Sequence, residues 1–291
     1  MIFMRVLVWC MVAWVSVMAH PRVTVTVSEA MPKQGDVVWV HVKSPQPIRS
    51  GSIHFNNKVF TMFTQLTPDE EGMYRAISCI GVSRYMVPKQ TQMRVAVTFD
   101  DGSTHRTRTD MQVRSAGFKK EYIQLTPKKY SLSQNKPKRS NENQILGKGF
   151  RTITAKRQYD GAFIWPTKGR FSSEFGVQRV YNNRPGWAHA GIDIAAVKGT
   201  SVVASQRGTI MLAERFAVHG NTVLIDHGWG IITVYNHLDE LRTTTGAVVD
   251  VGEEIGTVGS TGVATGDHLH FGVSVQNVRV EPRGFVDGVR D

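Results

Sequence analysis

Cysteine is nearly missing from this chain: Cys10 and Cys79 are the two in 291 residues. A disulfide-stapled scaffold is therefore excluded. Long hydrophobic runs are scarce as well. The one sizeable apolar stretch, Val6 to Val17 behind Arg5, sits at the extreme N-terminus, so a transmembrane bundle is excluded. Acidic residues are the minority charge, 24 against 35 Lys and Arg, which leaves a formal net charge of +11. Such a balance suits anionic envelope or membrane surfaces, which attract a basic protein at long range, without identifying either. A nucleic-acid role would need aromatic platforms or a binding motif; neither is found, and no nucleic-acid partner is expected.

The N-terminal pattern of a basic residue, a short apolar run and Ala19 two residues past its end reads as a secretory signal peptide over residues 1–19, cleaved before His20. The run falls short of the ~20 residues a membrane span needs, so no stable membrane insertion is expected after cleavage. Cys10 follows Trp9 rather than a small residue, which argues against a lipoprotein. Cleavage leaves Cys79 alone, and export without disulfides fits a bacterial periplasm or cell envelope.

With 41% apolar residues the remaining length accommodates two domains, each with its own core. Segments 22–28, 37–42, 51–55, 73–80, 92–99 and 105–113 carry β-branched enrichment and partial alternation, separated by turn residues such as Asp100-Asp101-Gly102. Residues 20–115 are accordingly expected to form an immunoglobulin-like β-sandwich, acting in positioning or recognition. Residues 116–160, with Lys136-Pro-Lys-Arg139 inside, are polar and basic and read as a solvated linker, in which 144–157 is expected to form a helical or extended arm onto the next domain. From 161 to 291 short strands return between glycine turns, giving an antiparallel sheet whose loops near 181–187, 214–219 and 260–267 would wall an open groove. The predicted class is all-β, mainly.

Three short strings in that last region carry chemistry: His189-Ala-Gly-Ile-Asp193, Tyr235-Asn-His237-Leu and His268-Leu-His270. They hold two histidines beyond what a single zinc site needs, and a catalytic zinc keeps three protein ligands and an open fourth position. In a strand His268 and His270 point the same way, with Leu269 behind them. His189 and Asp193 would stand about 13 Å apart if extended, too far for one ion, so the backbone must bend between them, and Gly191 can supply the bend. Taken alone, a His-x-His or a His-x-x-x-Asp means little. Tyr235, alternating with His237, is placed on the groove wall, and the remaining histidines, His219 and His227 among them, are read as structural or solvated.

In this order the strings resemble the lysostaphin-type, or LytM-like, zinc endopeptidases that cleave peptides of bacterial peptidoglycan. The likeness runs from about Phe163 to Phe285 and takes in Phe171-Ser-Ser-Glu-Phe-Gly176, Gly220-Asn221, Asp226-His-Gly228, Val258-Gly-Ser-Thr-Gly262 and Thr265-Gly266. The resemblance implies one Zn²⁺ per chain held by His189, Asp193 and His270, with His237 and His268 as the catalytic histidines, and a monomer acting on a peptidoglycan peptide. Some relatives insert an upstream asparagine into the metal, which draws attention to Asn182 and Asn183 at the groove. Two positions depart from the family pattern: Asp267 stands where proline is frequent, and Gly272 where an acid is frequent. Neither removes a ligand. The alternative is a non-catalytic LytM-like module that activates or recruits another cell-wall hydrolase, although such degenerate relatives have lost ligands that this chain keeps.

Overall fold

A computed structural model describes residues 23–286; the expected signal peptide lies outside them. Seven strands come first: β1 (Thr24–Val27), β2 (Val37–Ser44), β3 (Ile48–Phe55), β4 (Lys58–Thr64), β5 (Tyr74–Gly81), β6 (Gln90–Phe99) and β7 (Thr104–Gln112). They pair antiparallel in the order β1-β2-β5-β4-β3-β6-β7. The alternation of β6 shows the cause: Met93, Val95, Val97 and Phe99 are buried, while the residues between them face out or half out. β4 has no counterpart in the sequence reading, which stopped at Phe55. Asn56 and Asn57, with φ of 47° and 59°, form the two-residue turn that sends the chain back into it.

β8 (Lys120–Ile123) follows, then helices α1 (Pro127–Gln134) and α2 (Lys136–Phe150). The stretch expected to be a solvated linker is therefore largely helical. Its caps are legible: Thr126 accepts from the backbone N–H of Lys129 ahead of Pro127, and Asn135 accepts from that of Lys138. The arm expected over 144–157 begins within α2, whose Leu146 and Phe150 are buried against Leu212, Phe216, Leu224, Ile232 and Val234; the helix also extends back through the polar stretch from Lys136.

The C-terminal part contains β9 (Arg170–Ser173), β10 (Gln178–Tyr181), β11 (Arg184–Ala188), β12 (Ile192–Ala195), β13 (Ser201–Val203), β14 (Gly208–Arg215), β15 (Asn221–Asp226), β16 (Ile231–Leu238), β17 (Val248–Val249), β18 (Glu254–Thr257), β19 (His268–Val275), β20 (Val278–Val280) and the short helix α3 (Arg283–Val286). Its main sheet runs β17-β14-β15-β16-β19-β12-β9, with β20 on β19. β8 pairs parallel with β10 in a separate sheet with β11, and so ties the segment before the helices to the rim of the site. One face of the main sheet, with Ile231, Tyr235, Leu269, Phe271 and Val273, fills the large core; the other takes α2 and carries the groove. The N-terminal strands pack against this unit at the β19–β20 turn, where Gln276 accepts from Thr61 N (2.7 Å) and Phe63 stacks on Trp229 at 5.4 Å. No helix among the described residues is long and apolar enough to cross a membrane.

Candidate active site

Strand register brings the expected ligand set together. Asp193 on β12 lies opposite His270 on the neighbouring β19, and cross-strand partners project on the same face. His189 reaches them from the end of β11. Its Nε2 stands 2.9 Å from Asp193 Oδ1 and 2.8 Å from His270 Nδ1, and His270 Nδ1 is 2.9 Å from that same carboxylate oxygen. All three residues are buried. The chain bends at Gly191, as the spacing of His189 and Asp193 requires, and glycine serves a second purpose there. A Cβ there would lie 2.3 Å from the carbonyl oxygen of Phe271, so glycine lets this segment press directly on β19.

The electrostatics favour a cation. Burial pushes His270 down to about 3, leaving its ring neutral. Burial alone would raise the Asp193 carboxyl, but His189, then His270 and Arg179, hold it well below the usual carboxylate range. His189 Nδ1 lies 2.8 Å from the carbonyl oxygen of Glu174; donating there leaves Nε2 with its lone pair turned to the cluster. Two imidazole nitrogens and a carboxylate oxygen within hydrogen-bonding distance of one another, in a dry site, are a donor set of the kind zinc takes. The residues present fit the metal.

His237 and His268 stand beside this cluster, their rings 4.9 Å apart. His237 Nδ1 is 2.8 Å from the carbonyl oxygen of Thr261, and His268 Nδ1 is 2.8 Å from that of Gly266. Each ring, anchored through Nδ1, keeps Nε2 for chemistry. Burial, and then the neighbouring His268 and His270, push His237 well below the ordinary histidine range.

His237 reaches the groove by breaking the strand's alternation. Its φ is 65°, which turns its side chain out on the groove side together with that of Asn236. Tyr235 therefore does not share its face. Expected on the groove wall, Tyr235 is fully buried in the core, and its hydroxyl accepts from Ser205 N at 2.9 Å. Asn182 and Asn183 also prove to be elsewhere: with φ of 47° and 64° they form the turn between β10 and β11, and Asn182 exchanges hydrogen bonds with the backbone of Leu125. An Asn-Asn pair at a hairpin tip is turn chemistry, since both residues tolerate positive φ.

These elements enclose a groove of about 480 Å³, walled by Tyr181 and Trp187 on one side, Val218 and His219 on another, and floored by His189, His237 and His270. The protein-family comparison matches residues 188–282 to peptidase family M23. The chain carries a peptidase family M23 domain. Among curated relatives, 114 residues are 43% identical to the DD-carboxypeptidase/endopeptidase Mpg of Neisseria meningitidis, covering 39% of this chain and 26% of that protein. A further 111 residues' match is 36% identical to the peptidoglycan DD-endopeptidase ShyA of Vibrio cholerae, covering 38% and 26%. The chain thus spans about a quarter of the length of these relatives. A solved structure of a candidate M23 peptidase from Pseudomonas aeruginosa superposes with a TM-score of 0.63 at 23% identity, over 90% of this chain and 96% of that one, and so shares the fold.

Around the M23 site are residues that the sequence strings did not reveal. Arg179 on β10 pairs with Asp193 Oδ2, leaving Oδ1 for the metal side, and its Nε lies 3.2 Å from Glu121 of β8. Burial opposes the Arg179 charge, but Asp193 and Glu121 outweigh it and keep the guanidinium protonated. Glu142 of α2 is buried and accepts from the backbone N–H groups of Ala217 (2.8 Å), Val218 (3.0 Å) and His219 (3.2 Å), with His219 Nδ1 also at 2.8 Å. His219, read as structural or solvated, lines the groove, and its carbonyl accepts from His237 N at 3.1 Å. None of these contacts leaves a local signal in sequence, because each joins residues at least 14 positions apart that no helix or strand period links.

Proposed function

We propose that the protein is an exported zinc endopeptidase that hydrolyses peptide bonds in peptidoglycan stems or cross-bridges. The observation that carries this reading is the convergence of His189, Asp193 and His270 beside two further imidazoles, those of His237 and His268, that stand outside this cluster. Binding-only and structural zinc sites have no use for such a pair. The names of the relatives Mpg and ShyA support peptidoglycan as the substrate class, and the basic charge and N-terminal pattern support action in the envelope.

His189, Asp193 and His270 would hold the zinc, which when bound supplies a Lewis acid that polarises a carbonyl and lowers the pKa of water near 7. The chain's own residues do the rest. Arg179 fixes the Asp193 carboxylate through one oxygen, so that the other is presented in one orientation. His237 and His268, each anchored through Nδ1 so that Nε2 is free, accept the proton of the attacking water, donate to the developing oxyanion, and return a proton to the leaving amine. The groove of about 480 Å³ between Tyr181, Trp187, Val218 and His219 is where the peptide would lie. Incubation of the zinc-loaded protein with purified sacculi, followed by mass analysis of the released muropeptides, tests the reading. Release of no fragment from several cross-link types, together with stimulation of a second hydrolase, would replace it with the activator reading.

A further inference from the structure

The groove is lined by Arg139, Arg179 and Arg279, and no Asp or Glu is among its described lining residues. Two of these arginines are already engaged. Arg179 is saturated by Asp193 and Glu121, and Arg139 lies over the Trp187 ring at 4.2 Å while donating to the carbonyl of Ser133. Arg279 differs. Its Nη1 is buried and has no hydrogen-bond partner among the described residues.

The position of Arg279 follows from register. It lies opposite Ser274 of β19, on the face that also presents His268, His270 and Gly272. A Cβ on Gly272 would stand 3.6 Å from Arg279 Nη1, so the guanidinium rests over that glycine, one strand step of about 7 Å from the ligand His270. Where the family pattern favours an acid, this chain has no side chain at all, and the cross-strand neighbour is a serine rather than a carboxylate. Phe150 of α2 covers the guanidinium, with the ring centroid 3.8 Å away. Burial lowers the group to about 9, which still leaves it charged at neutral pH. A buried cation without a counter-ion is costly, and an anion entering the groove relieves that cost.

We propose that Arg279 is a substrate-specificity residue that binds a free carboxylate of the peptide beside the scissile bond. Gly272, where a Cβ would already meet Val234 Cγ1 at 3.0 Å and the Ala190 carbonyl oxygen at 3.1 Å, lets the guanidinium close on the strand, and Phe150 covers it where Arg279 lines the groove. The inference rests on the groove taking a peptidoglycan peptide, as proposed above. Stem peptides offer two such carboxylates, the C-terminal one and one on a side chain, and both present the same planar acceptor to the arginine fork.

Binding and cleavage separate the possibilities. Full-length zinc-loaded protein carrying His237→Ala, which prevents turnover, is titrated calorimetrically with a stem tetrapeptide as free acid, as C-terminal amide and as side-chain amide. Arg279→Gln added to this background is expected to weaken the free acid about ten- to hundredfold, as loss of a charge-assisted fork would. It should leave unchanged the affinity of whichever amide has lost the recognised carboxylate, and that amide identifies the source. Arg279→Lys, which keeps the charge and bulk but not the fork, should fall between; it also guards against a folding defect in the glutamine variant. Equal weakening of all three peptides, or of none, would overturn the proposal. Arg279-dependent binding of a peptide that the wild type never cuts would sink the hydrolase reading and leave this one standing. Cleavage indifferent to Arg279 and to amidation would do the reverse.

Discussion

Replacing Glu142 with alanine tests whether the helical arm is part of the catalytic groove. One carboxylate, buried at 4% exposure, accepts three backbone N–H groups at 2.8–3.2 Å and faces His219 Nδ1 at 2.8 Å. Hydrogen bonds to a charged acceptor contribute about 1.5–3 kcal/mol each, but bonds sharing one acceptor do not add, and water entering the space vacated restores part of the loss. A net cost of about 3 kcal/mol is expected for local order of the 217–219 segment. At about 1.4 kcal/mol per factor of ten, the Ala217, Val218 and His219 amides should exchange hydrogen roughly a hundredfold faster. Because His219 O also accepts from His237 N, muropeptide cleavage should drop in parallel while zinc stoichiometry holds. Hydrogen exchange resolved by mass spectrometry, with metal analysis on the same sample, measures both. Unchanged protection at 217–219 would refute the reasoning, since it would mean that α2 does not hold this loop.

Asp193→Ala should abolish stoichiometric zinc at micromolar metal, and His237→Ala should keep it while hydrolysis falls about 10²- to 10⁴-fold; loss of metal in the second variant would show the histidines to be wrongly divided. His227 is fully buried beside Thr233, and burial holds its pKa down to about 4. The unfolded chain therefore binds a proton that the folded one refuses between about pH 6.5 and 4, and stability should decline as pH falls through that window. His227→Gln should flatten that slope in pH-dependent unfolding; an unaltered slope would remove His227 as its cause. A fragment starting at residue 116 should retain tight zinc, whereas one starting at 147 loses Glu121 and Glu142 and should bind zinc about 10- to 100-fold more weakly, as competition with a chromophoric chelator would read.

Much of this protein is written in local patterns. Alternating burial in strands such as β6, helix caps at Thr126 and Asn135, and the three histidine strings follow from periods of two residues and from fixed chemical types, and the sequence alone carries them. Where two local signals compete, sequence is a poor judge. Asn182-Asn183, a candidate ligand by position, is a hairpin turn, and the alternation that would set Tyr235 on the face of His237 is interrupted by the positive φ at His237. Only the tertiary structure decided which oxygen of Asp193 is engaged by Arg179, that a polar segment folds into α2 and closes one side of the groove through Glu142, and that Arg279 is left beside Gly272 without a carboxylate. The physical reason is the same each time. Strand pairing and helix docking join residues that no local period links, and a charge acquires its meaning from what those partners supply or withhold.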